Sequence, residues 1–131
     1  MNRIAVPERD KQLYDPPFFL AILGIVYIYA EVVFIVLVHL VCWLHHVVVF
    51  TIFRIPKPRL RDFMIFDRGR LTKLTWMQRI GCVYCSYVNG VAAWVKATAN
   101  ATEIYACAIK HAITKRGMEH QERYYEYQDF Q

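Results

Sequence analysis

Residues 18–53 form an unbroken apolar run, FFLAILGIVYIYAEVVFIVLVHLVCWLHHVVVFTIF, with no Lys, Arg or Pro and a single carboxylate, Glu31. A soluble domain of this size has no core large enough to bury such a run, so it predicts a transmembrane helix. A helix of about 36 residues is about 54 Å long at about 1.5 Å per residue, whereas the hydrocarbon layer is about 30 Å thick. One long helix, tilted or projecting past the inner surface, accounts for the surplus. So does a tight hairpin of two short spans. Residues 33–44 contain no Gly, Pro, Asn, Asp or Ser to make a turn, which favours the single helix. The part from Trp43 onward then lies near or beyond the inner interface.

Periodic patterns resume after a polar gap. Thr75-Trp76-Met77-Gln78 fits a capping box, with Thr at N-cap and Gln at N3. From Trp76, apolar positions recur at spacings of three and four (Ile80, Val83, Tyr84, Tyr87, Val91, Trp94, Val95), the helical period. Asn89-Gly90 weakens this helix without ending it. Residues 96–100 turn small and polar and predict a turn. Asn100 to Glu103 reads as a second capping box, opening a helix that ends at Arg116 with Gly117 at C′. The fold class expected is an all-α membrane protein: one long transmembrane helix followed by a small inner-side helical hairpin. Its segments are a polar N-terminal stretch (1–17), the membrane helix (18–53), a basic connector (54–74), the hairpin (75–116) and an acidic, Tyr-rich tail (117–131). The tail is expected to be disordered, to fold back on the connector or to dock on a partner; its aromatic content favours docking.

Charge gives this arrangement a direction. The 131-residue chain carries a net charge of +5. Arg54, Lys57, Arg59, Arg61, Arg68, Arg70, Lys73 and Arg79 follow the apolar run. Before it, Arg3, Arg9 and Lys11 are offset by Glu8, Asp10 and Asp15. By the positive-inside rule the C-terminal side faces the cytoplasm, or the matrix in a mitochondrial inner membrane, and the N-terminus lies outside. Tyr14, Phe18 and Phe19 then sit at headgroup depth. The connector interleaves its charges with Leu60, Phe63, Met64, Ile65 and Phe66, and is expected to lie on anionic lipid. Nucleic-acid binding is set aside, because basic residues are the default next to a span. The run is too long for a signal peptide core and no small-residue cleavage site follows it.

An inner, reducing compartment makes the cysteines candidates for metal or redox chemistry rather than disulfides. Cys82 and Cys85 share one helix face; Cys107 and His111 share another. If the hairpin turns near Lys96 the two faces meet as a Cys3His site, with zinc as the simplest occupant and an iron–sulfur cluster as the alternative. If residues 76–116 were one unbroken helix, Cys82 and Cys107 would lie about 37 Å apart and no single site would form. Glu103, one turn before Cys107, would orient His111 from behind or simply pair with Asn100. The bland reading of the cysteines is core packing.

Inside the apolar run, Glu31 and His39 are expected to make a polar contact to a partner helix, or in the case of His39 to ligate haem or a chlorophyll-type pigment. His45 and His46 read as interfacial, and Cys42 as packing. The chain has no phosphate-binding glycine loop, no HExxH and no nucleophile motif, so no enzyme is expected. The leading expectation is a non-catalytic accessory or assembly subunit that packs on the membrane helices of a larger complex, in a bacterial or mitochondrial inner membrane. The alternative is an electron-transfer or haem- or pigment-binding subunit.

Overall fold

The computed structural model describes residues 16–131. The polar segment at positions 1–15, including Tyr14, lies outside the described residues. The chain comprises two compact units, Met1–Val33 and Phe34–Gln131.

The first unit contributes helix α1, Phe18–Ala30. It starts directly after Pro17, whose fixed φ suits a helix entry. None of its residues is buried. Glu31 keeps right-handed helical backbone, and its N–H bonds the Tyr27 carbonyl at 3.1 Å. Helix α2 follows as Val32–His45. The helical run Phe18–Phe50 is long and apolar enough to cross a membrane, and it is the only such helix among the described residues.

In the second unit the apolar helix loosens into a π turn over His46–Phe50. The Thr51 hydroxyl donates to the His46 carbonyl at 3.4 Å, supporting the widened turn. The helix then stops abruptly. Ile55 N–H bonds the Phe50 carbonyl at 3.0 Å and Arg54 N–H bonds that of Thr51 at 3.4 Å. This is the Schellman pairing, and its left-handed position is filled by Arg54 at φ 54° instead of by glycine. Its apolar contact is Ile55 with Phe50, both buried.

Helix α3 runs Trp76–Ala106 without a break. Its start is the expected capping box: Thr75 accepts from Gln78 N–H, and the Gln78 side chain accepts from Thr75 N–H at 2.9 Å. The turn expected at residues 96–100 is absent, so positions 75–116 are not a hairpin. The physical reason lies in Thr98 and Thr102. Each hydroxyl donates back to the carbonyl four residues earlier, Trp94 and Thr98, at 2.9 Å. Polar residues thereby stay inside the helix instead of leaving it, and Ala99 and Ala101 between them and Lys96 and Ala97 before them are good helix formers. Asn100 is thus an interior residue, not a second cap.

The connector runs back along α3. Trp94 Nε1 donates to the Pro58 carbonyl at 2.8 Å, and the Arg79 guanidinium donates to that of Leu71 at 3.3 Å. Between these points the chain presses on Gly90, where a Cβ would meet the Phe63 carbonyl at 2.9 Å and Met64 Sδ at 2.5 Å. Gly90 is therefore an approach site for the connector backbone.

Helix α3 ends at Ala106, ten residues earlier than expected, because Cys107 turns extended (φ −160°, ψ 90°). The remaining chain folds back on itself. Tyr125 N–H bonds the Ala108 carbonyl at 2.9 Å, and Lys110 N–H bonds that of Tyr125 at 2.8 Å, forming an isolated parallel bridge. Lys110 also pairs with Glu126. Gly117 does take a positive φ of 86°, but in a loop and not at a helix end.

Candidate functional site

The helix pair in the second unit is α2 on α3. Along α2 and the π turn that continues it, the inward positions are His39, Cys42, His46 and Phe50, spaced by three and four. On α3 they are Tyr87, Val91, Trp94 and Thr98. Partners rise together in number: His39 meets Tyr87, His46 meets Thr98 and His45 meets Thr102. The two helices therefore run in the same direction, and the connector supplies the return stroke.

This seam is polar at its centre. Thr98 Oγ1 donates to the Trp94 carbonyl, which leaves its lone pairs to accept from His46 Nε2 at 2.8 Å and from the Cys42 thiol at 3.5 Å. By the same logic Thr102, which donates to the Thr98 carbonyl, accepts from His45 Nε2 at 3.2 Å. The network assigns the proton to Nε2 of both histidines. His39 Nδ1 lies 2.9 Å from the Tyr87 hydroxyl. Aromatic rings close the seam: His46 stacks on Phe50 at 4.5 Å and meets Trp94 edge-on at 4.8 Å, while His39 meets Trp94 at 5.5 Å. Trp94 and Val91 are 3% and 1% exposed, which places the centre of the unit here.

The outward side of α2 is the reverse. Phe34, Leu37, Leu40, Val41, Trp43 and Leu44 are each more than half exposed. On one flank, Leu37, Val38 and Val41 join Val95, Ala99 and Ala106 of α3 in an almost wholly apolar groove of about 650 Å³. A water-soluble helix pair turns apolar side chains in and polar ones out. Helix α2 does the opposite.

The expected Cys3His set is not gathered. Cys82 and Cys85 lie on one face of the N-terminal half of α3, while Cys107 and His111 lie past its end. One continuous helix keeps Cys82 about 37 Å from Cys107. Among the described residues no group of three His, Cys, Asp or Glu side chains is arranged to hold a metal ion. Cys82, Cys85 and Cys107 are free thiols, as is the buried Cys42. Glu103 does orient a histidine, but the partner is His120 (2.7 Å), with Gln121 on its other oxygen (2.7 Å). It pins the tail to α3 and has no link to His111. Next to it Tyr124 is buried, and its hydroxyl has no hydrogen-bond partner among the described residues. Burial, and then the Glu103 charge, hold this phenol above its ordinary pKa. Glu31 belongs to the first unit and is exposed.

His45, His46 and the threonines were beyond sequence reasoning as a set. The signal in the chain is the three- and four-residue spacing of His39, Cys42 and His46, repeated by Tyr87, Val91, Trp94 and Thr98 in α3. No protein-family model, curated protein or solved structure matches this chain.

Proposed function

We propose that the chain is a membrane-anchored, non-catalytic accessory or assembly subunit of a larger membrane complex. The anchor is the front part of the Phe18–Phe50 helix. The docking element is the outward face of α2 with its flanking groove, and the occupant is an apolar helix of a partner subunit. The observation that carries the reading is the inversion of α2: its histidines and cysteine are hydrogen-bonded inward, and its Leu, Val and Trp side chains stand exposed. Contiguous exposed apolar surface on this scale marks an interaction site. The length argument agrees. The 33-residue helix is about 50 Å long, and about 20 residues suffice for the hydrocarbon layer. The remainder is left for protein contact.

The test is a native-gel and pull-down comparison in mild detergent from the source membrane. Val41→Arg, at an outward position, is expected to release the chain from its co-migrating partners while the melting temperature of the purified chain stays unchanged. A wild-type chain that purifies without stoichiometric partners would overturn the proposal.

A further inference from the structure

The parallel packing of α2 and α3 fixes which groups share an end of the second unit. His39 lies level with the stretch between Tyr87 and Trp94. Phe34, the first residue of the second unit, and the first turn of α3 at Trp76 both lie beyond His39 in the same direction. The connector, running back along α3, passes Ile65 and Arg68 along Cys85, Ser86 and Asn89 and then brings Leu71, with Arg70 and Lys73 close to it in the chain, beside Arg79. All four cations are exposed. Among them stand exposed apolar side chains: Ile65, Phe66, Leu71, Trp76 and Met77, with Trp76 70% exposed. Asp67 is the carboxylate nearest in the chain. The tail, which folds back against Lys96 and Glu103 of α3, carries Glu119, Glu122, Glu126 and Asp129.

We propose that this basic, aromatic end of the second unit is a bilayer-seating surface that takes anionic lipid headgroups. The inference rests on the anchor reading of Phe18–Phe50. Exposed cations over interleaved Trp, Phe, Leu and Ile match an anionic interface, where charges meet phosphates and apolar tips enter the headgroup layer.

The experiment is limited trypsinolysis of the full chain in nanodiscs of neutral phosphatidylcholine, compared with discs containing phosphatidylglycerol. Cleavage after Arg68, Arg70 and Lys73 is expected to slow about tenfold in the anionic discs and to recover in high salt, which screens surface charge. Arg116 and Arg123, exposed in the chain after α3, serve as internal controls and are expected to be cut equally in both. Equal cleavage after Arg68, Arg70 and Lys73 in the two lipids would overturn the proposal, as would parallel slowing at Arg116 and Arg123. Retention of the chain on neutral discs after alkaline carbonate reports separately on the anchor. A chain that washes off them sinks the anchor reading, whereas a chain that stays but shows no lipid-dependent protection sinks only the seating surface.

Discussion

Helices α1 and α2 are alike in composition and opposite in use. Both read as apolar helix, and neither carries a Lys or Arg. Helix α1 buries nothing. Helix α2 buries Cys42, half-buries His39 and His45, and exposes most of its apolar side chains. Hydropathy therefore gives one long element where packing gives two. The difference arises from a handful of hydrogen bonds: a histidine or thiol among apolar neighbours is costly unless partnered, and α3 supplies Tyr87, Thr98 and Thr102 at matching intervals. A helix with satisfied polar groups inside and apolar groups outside suits an apolar surrounding, whether lipid or protein.

The contrast can be broken most severely at Trp94. Trp94→Ala removes the ring that His39 and His46 pack on and the donor to the Pro58 carbonyl. It is expected to cost about 3–5 kcal/mol in thermal or denaturant unfolding in detergent. Phe19→Ala in α1, where nothing is buried, is expected to change stability by no more than about 0.5 kcal/mol. Equal losses from the two would erase the distinction between the helices.

Gly90→Ala sharpens the role of the connector. An added methyl gains about 0.5–1 kcal/mol of helix propensity but meets the Phe63 carbonyl, and overpacking costs about 1–3 kcal/mol. The expected result is a net loss, read as a lower melting temperature. A gain would mean that the connector does not press on α3 there.

The tail offers a pH test. The Tyr124 phenol is raised in the folded chain, so the neutral form is favoured by folding. Its contribution is complete below the unfolded value of about 10 and is lost as pH rises through the folded value. Tyr124→Phe is expected to flatten this alkaline loss in a series of melts without lowering stability at neutral pH, because the hydroxyl has no partner to lose. The smallest effect expected is at the end of the apolar helix. Arg54→Gly relieves left-handed strain and gains less than about 1 kcal/mol, seen as a slightly raised melting temperature.

What the sequence made legible was local. The apolar run, the Thr75–Gln78 capping box and the stop after Phe53 each depend on a few neighbouring residues. The length of α3 was not legible, because small polar residues at 96–100 are compatible with a turn or with threonines bonded back to their own helix. The true helix pairing was hidden for a different reason. It joins residues about 50 apart, and the histidines that looked interfacial are used inward only because α3 returns parallel to α2. The four-residue Cys and His set depended wholly on the turn near Lys96, and without that turn it disperses. Glu103 was read as orienting His111 or pairing with Asn100, but its partners, His120 and Gln121, come from the tail.

The inward polar seam is tested most directly by a double-mutant cycle between His46 and Thr98. Thr98→Val strands the His46 Nε2–H and is expected to cost about 1–3 kcal/mol. In the His46→Leu background the same change is expected to cost far less, giving a coupling energy of at least about 1 kcal/mol. Additive losses with no coupling would contradict the account, since α2 would then not be turning its polar residues onto α3.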